Sequence, residues 1–185
     1  MAKVHKEITT ELSDWISQQE MYFVASAPLT DSGHVNVSPR GVHSLRILSP
    51  NQVLLLDLTG SGNETAAHVV ENSRLTIMFC AFTGKPKILR LYGKAKAILP
   101  GHADWNKLRK EFPDTIPGVR QLFRLDINRV QTSCGFGVPL MDFVAQRELL
   151  VEWSEKRNEQ EIKEYRQNKN AVSIDGLVIP VNSSK

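Results

Sequence analysis

At 185 residues with 41% hydrophobic side chains, the chain is long enough to bury a substantial core and too apolar for wholesale disorder. Its 23 Lys and Arg against 20 Asp and Glu leave a formal charge of +3, too slight an excess to point to nucleic acid. No apolar run is long enough to cross a bilayer, and the opening Met-Ala-Lys-Val-His-Lys-Glu turns polar at once, so neither a membrane span nor a secretory signal is expected and the cytoplasm is the predicted location.

The elements follow in order. Leu12, Trp15 and Ile16 share the spacing of a short helix face. Met21 to Ala27 is rich in strand formers, the Asp31-Ser32-Gly33 turn follows, and His34 to Ser38 alternates with period two, which predicts an antiparallel hairpin. Pro39-Arg40-Gly41 interrupts it. Shorter strands are expected near Leu45 to Leu48 and through Val53 to Leu56. Gly60 to Thr65 opens a helix running to about Glu71, with Ser61 and Glu64 at capping-box spacing.

Leu75 to Phe82 and Lys87 to Leu99 are the next strands. Trp105, Leu108 and Phe112 share a helix face ended by Pro113, and Val119 to Thr132 is a further strand. From Phe143 the period becomes helical, with Val144, Arg147, Leu150 and Trp153 along one side and a polar continuation to Asn168. Asp175-Gly176 suits a type I′ terminal hairpin. Six or seven strands with short helices predict a mainly β, antiparallel Greek-key barrel rather than a doubly wound α/β fold. No repeat or linker divides the chain, so one domain is expected, with its barrel core over about 15–132 and a helical and hairpin extension over about 133–185.

Cys80 and Cys134 stand far apart in the sequence; reduced structural thiols are the simpler reading, a paired or reactive cysteine the other. The five histidines show no metal-ligand spacing, and no metal site is expected.

Four segments together carry a resemblance. They are Gly33-His34-Val35-Asn36-Val37-Ser38-Pro39-Arg40-Gly41, Leu56 to Thr65, Glu71 to Phe79, and Leu89-Arg90-Leu91-Tyr92-Gly93-Lys94-Ala95. In their order and spacing, from about Trp15 to Asn128, the chain resembles the pyridoxamine 5′-phosphate oxidase-like FMN-binding split-barrel superfamily. The resemblance implies a split barrel, a homodimer, and FMN bound at the interface between the two copies. Related barrels take deazaflavin or haem instead.

Two departures qualify it. The family's basic pair before the short helix is replaced by Glu64-Thr65. The Arg-rich, Trp-containing substrate segment that ends true pyridoxamine-phosphate oxidases is absent from Gly176 to Lys185. The Cys134-Gly135-Phe136-Gly137-Val138-Pro139 tract resembles uncharacterised members of the superfamily.

FMN needs a counter-charge for its phosphate, polar partners for the ring edge and an apolar surface for the rings. Arg40 and Arg90 are the phosphate candidates, because a guanidinium fork makes paired charge-assisted bonds; a turn charge and a solvent-facing strand position explain them equally well. Gly60-Ser61-Gly62 permits close backbone approach, and the following helix start offers free amides, with Asn63 and Thr65 adding hydrogen bonds. Ser38 and Pro39 can meet the ring edge, or Ser38 simply satisfies a strand end that Pro39 stops. Asp57, costly if buried bare, can accept from that edge, from Arg40 or Arg90, or from a turn amide. Trp105, Phe136 and Trp153 each read more simply as core or dimer packing; Phe136, between two glycines, is the best stacking candidate among them.

The expected function is an FMN-dependent oxidoreductase of an unidentified small molecule, with NAD(P)H a candidate electron donor. The alternative is a flavin- or small-ligand-binding protein without turnover. No catalytic side chain is assigned, and Cys134 lacks an evident neighbouring base.

Overall fold

The computed structural model describes residues 2–181, so the last four residues of the expected extension lie outside the described part. Eight strands form a mainly β, curled and open antiparallel half-barrel: β1 (Lys3–His5), β2 (Met21–Ser26), β3 (Asn36–Gly41), β4 (Leu45–Ser49), β5 (Gln52–Leu58), β6 (Arg74–Cys80), β7 (Ile88–Ile98) and β8 (Val119–Ser133). The sheet runs β3-β2-β6-β7-β8-β5-β4, with β1 added to β8. The eighth strand beyond the six or seven expected is β1, whose three residues are too few and too polar to show a period.

The 15-residue β8 joins the two halves. It pairs with β7 along nearly its whole length, with β5 through Val119–Asp126, and with β1 through Val130–Thr132. Midway, Tyr92 faces Arg129 while Gly93 faces Ile127, so Asn128 is left over as a bulge. A bulge adds local twist and curls the sheet. Gly93 lies so close to β8 that a Cβ there would overlap the Asp126 carbonyl oxygen.

The alternate residues Tyr22 and Val24, Leu75, Ile77 and Phe79, and Leu89 and Leu91 face one continuous core. Helix α1 (Thr10–Ser17) closes one end of it with Leu12 and Ile16, its start capped by the Thr9 hydroxyl, which accepts from the Leu12 amide. Helix α2 (Glu64–Asn72) lays Ala66, Ala67 and Val69 on that core. A second cluster gathers Leu54, Leu56, Ile98 and Leu122 beneath Leu108 of the short α3 (Trp105–Arg109) and Phe112 just beyond it. Each fully buried aliphatic side chain in these clusters stabilises the fold by roughly 1.5–3 kcal/mol.

The C-terminal third departs from expectation. Residues 134–148 are irregular, and the helical stretch is split into α4 (Leu149–Glu155) and α5 (Glu159–Lys169). The break has a local cause: Asn158 starts a new helix with a full capping box, accepting from the Glu161 amide while the Glu161 carboxylate accepts from the Asn158 amide. The box expected at Ser61 and Glu64 does not form; α2 begins at Glu64 with Asn63 before it and no side-chain cap.

The terminal hairpin is present around a single bridge, Val172 to Val178. Its turn is not type I′, since only Gly176 has a positive φ, and the Ser173–Leu177 bonds are those of a three-residue loop. This hairpin is fastened to the body. The Ile174 amide donates to the Glu64 carboxylate, and Asp175 accepts from the His34 amide and from the His34 ring at 2.6 Å.

Two outcomes follow from these contacts. Gly93→Ala should lower stability in urea by on the order of 1–3 kcal/mol, because the added methyl forces β7 off β8. The His34 ring should titrate above its ordinary value, because the hydrogen bond and charge of Asp175 favour the imidazolium. That part of the hairpin's attachment is complete below pH ~6.5 and fades as pH rises through the elevated value. Chemical shifts of the His34 ring against pH measure it, and Asp175→Asn should abolish the shift.

Candidate functional site

The site is organised by one carboxylate. Asp57, on β5 between the buried Leu56 and half-buried Leu58, is fully buried. A bare carboxylate there would be prohibitively costly, and the structure surrounds it with donors. Arg40 Nη1 from β3 donates to Oδ1. Arg120 of β8 donates to Oδ2 through Nε at 2.9 Å and places Nη2 2.8 Å from the same oxygen. Gln121 Nε2 adds a bond at 2.8 Å. Burial alone would raise the Asp57 carboxyl, but the Arg40 and Arg120 charges with the hydrogen bonds from Gln121 and Arg120 outweigh it and hold it below the usual carboxylate range. Burial pushes the neighbouring Tyr22 phenol up to about 12; its hydroxyl bonds Ser44 at 2.7 Å.

From this cluster the polar network runs into the loop before α2. Arg120 Nη1 donates to the Gly62 carbonyl, and Gln121 Nε2 also donates to Asn63 Oδ1. Asn63 Nδ2 in turn donates to the Asn170 carbonyl, and Asn170 Nδ2 to the Gly60 carbonyl. Arg166 of α5 donates to Thr59 Oγ1 and to the Val119 carbonyl. Burial, with the charge of Arg120, draws the Arg166 guanidinium below its ordinary value. Because Asn63 spends its side chain sideways, the first amides of α2 are left without a side-chain cap.

Next to this loop lies a cavity of about 350 Å³, at the small end for ligand sites. It brings together Ser38, Pro39, Arg40, Asp57, Ser61, Gly62, Asn63 and Thr65, with Asn36, Leu58, Gly60, Glu64, Arg120 and Leu150. A Cβ built on Gly60 or Gly62 would meet nothing within 4 Å. Glu64 shares the wall, but its carboxylate is engaged by the Ile174 amide at 3.2 and 3.3 Å. The polar side of the cavity therefore combines two guanidiniums with two carboxylates already engaged by donors of the chain, Asp57 and Glu64, together with glycine backbone and the start of a helix that no side chain caps. That donor set suits a phosphate monoester.

Two of the expected residues lie elsewhere in the chain. Arg40 is opposite the buried Tyr22, on the inner face of the sheet, whereas Arg90 is opposite Met78 and between the buried Leu89 and Leu91, so it points outward. Period-two geometry thus keeps the two arginines on opposite faces of one chain. Arg90 Nη1 donates to Ser133 Oγ at 3.3 Å. Phe136 is 82% exposed and lines none of this cavity.

Trp153 packs edge-on against Tyr165 beneath the Arg157 guanidinium, and Trp105 packs on the second cluster. Cys80 is buried and Cys134 exposed; both are free thiols. Among the described residues there is no cluster of metal-ligating side chains, and no helix is long and apolar enough to cross a membrane.

Sequence reasoning missed Arg120 and Gln121, the inner partners of Asp57. Their one signal was two long polar side chains running directly into Leu122-Phe123 at the start of a strongly apolar strand.

Asp57→Asn leaves two guanidiniums without a counter-charge and should cost about 3–5 kcal/mol in denaturant unfolding. The native carboxyl titrates below its unfolded value of ~3.9, so its contribution is complete above that pH and is lost as the pH falls toward the depressed value. The acid limb of a stability–pH profile should flatten in Asp57→Asn; an unchanged limb would refute the assignment.

The pyridoxamine 5′-phosphate oxidase family model matches residues 8–134. The chain is 37% identical over 194 residues to the pyridoxamine 5′-phosphate oxidase family protein ustO of Aspergillus flavus, an alignment covering 94% of this chain and 76% of that protein. Among solved structures it is similar to two crystal structures of HupZ from Group A Streptococcus, the first of them a point variant, at TM-scores of 0.57 and 0.55 and 20% identity. These cover 68% and 66% of this chain and 99% and 91% of theirs. The structural likeness concerns the fold, while the family match spans both arginine-bearing strands, Asp57 and the loop before α2. The chain belongs to the pyridoxamine 5′-phosphate oxidase family.

Proposed function

We propose that the protein is an FMN-dependent oxidoreductase of a small molecule, working as a homodimer with the flavin between its two copies. Family membership supports a flavin-binding, oxidoreductase-like protein in general; the identity of the flavin and the dimer belong to this proposal. The observation that carries it is the cavity where Ser38, Pro39, Arg40 and the Gly60–Thr65 loop meet, with phosphate-type donors on one side. In this reading Arg40, the Gly62 backbone and the first amides of α2 hold the phosphate. Ser38 and Asn36 meet polar atoms of the cofactor, and Asp57 acts through Arg40 and Arg120 without touching it.

Bound FMN would supply hydride or electron transfer, and the chain's own groups bind, orient and exclude water. In the outward row on one sheet face, Pro39 is exposed and Phe23, Met78 and Arg90 are half-buried. Covering such a face with a symmetric copy would bury its apolar members and bring one copy's Arg90 toward the other's cavity.

Gly62→Leu tests this without removing any interaction on which the fold depends, since the new side chain enters open space. The variant should keep its circular dichroism and melting temperature while losing at least tenfold in FMN affinity, read by quenching of flavin fluorescence. Undiminished affinity in the folded variant would rule out the cavity. Native mass spectrometry of gently purified protein should show two chains with two flavin masses. Bleaching of the flavin band on adding NAD(P)H separates an oxidoreductase from a flavin binder without turnover.

A further inference from the structure

Arg40 stands where three cavities meet, one of them, of about 450 Å³, opening toward Glu20, Met21 and Phe143 and also reaching Arg147. Beyond the one beside Asp57 lies a second, of about 340 Å³, bounded by Leu56 and Leu58 of β5, Ile116, and Leu150 and Val151 of α4. Its walls are chiefly apolar and include no carboxylate, yet two guanidiniums, Arg40 and Arg147, take part in them. Arg40 already answers Asp57. Arg147 is exposed, and no carboxylate of the described residues lies within ion-pair distance of it.

The segment carrying Arg147 is irregular but held in place. The Met141 amide donates to the Phe82 carbonyl at 2.9 Å, and Gln146 Nε2 to the Glu20 carbonyl at 2.8 Å. On its other side α4 is seated by the buried Ser154 against Gly118, where φ is +67° and a Cβ would collide with the serine hydroxyl. The Arg147 backbone is thus fixed between a pinned neighbour and a docked helix.

We infer that this second cavity binds a small organic anion, a ring-sized apolar body bearing a single carboxylate-type charge, with Leu56, Leu58, Ile116 and Val151 around the body and Arg147 on the anion. Charge complementarity selects the occupant. An uncharged ligand of the same shape gains the apolar burial but leaves Arg147 unanswered, whereas a carboxylate takes up a paired, charge-assisted bond. The two cavities share Pro39, Arg40, Leu58 and Leu150, so the occupant would lie beside the cofactor position. As the substrate side of the redox site, this rests on the flavin reading above; as a binding site, it rests on the cavity and Arg147 alone.

The test is isothermal titration of the full chain, saturated with FMN, with 1-naphthoate and with its uncharged amide, 1-naphthamide. Naphthoate should bind saturably, once per chain, and at least tenfold more tightly than the amide. Arg147→Gln, at an exposed position, should cost naphthoate about tenfold and leave the amide within twofold. Val151→Trp should weaken both. Equal binding of the two probes, naphthoate affinity unchanged in Arg147→Gln, or no saturable binding at millimolar concentration overturns the inference. Flavin uptake is read from visible absorbance in the same samples. Arg147-dependent naphthoate binding without flavin uptake supports the anion site and sinks the flavin reading; flavin uptake without naphthoate selectivity does the reverse.

Discussion

Everything that shapes the site depends on the Asp57 carboxylate being neutralised from both sides. A charge at the centre of a β-sheet is tolerated only when its lone pairs are filled, and here they are filled by residues from two other strands. Arg40 is drawn inward from β3, and Arg120 and Gln121 from the first residues of β8. The carboxylate fixes the guanidiniums as much as they fix it. Each arginine has donors left over, and Arg120 and Gln121 use theirs on the loop before α2. One buried charge therefore sets the positions of three strands and a loop.

The same arrangement explains what could be read from the residues alone. The strands from Met21 to Thr132 and the two central helices declared themselves by period and punctuation, since half-buried sheets require alternation and short amphipathic helices require a 3/4 stripe. Asp57 was legible as a problem, a carboxylate inside Val-Leu-Leu-Leu-Asp-Leu, though not its solution. Its principal partner Arg120 is 63 residues away, and strand pairing across such a distance leaves no local trace. Arg90 was readable as an arginine among leucines. Which face it took depended on registers that only the paired sheet reveals.

The end of the chain was read least well, because its order is set by tertiary anchors rather than by periodicity. An apparent single helix became an irregular arm and two helices once Asn158 could cap its own successor and Gln146 could reach the start of β2. The hairpin took a three-residue loop where its Asp-Gly pair suggested two. Beyond its own pairing, that hairpin is held by Ile179 in the main core and by its bonds to Glu64 of α2 and to His34. Glu64, on the cavity wall, is thereby engaged by the Ile174 amide and put to structural use.

The contacts fastening the C-terminal segment to the cavity loop join residues 107 and 110 positions apart. Closing such spans costs chain entropy that is recovered only when the rest of the sheet is already in place. The barrel can consolidate from nearer neighbours, β6 with β7 and β2 with β3, before Arg166 and Asn170 arrive. The loop beside the cavity is accordingly expected to take its final position late in folding, after the strands have paired.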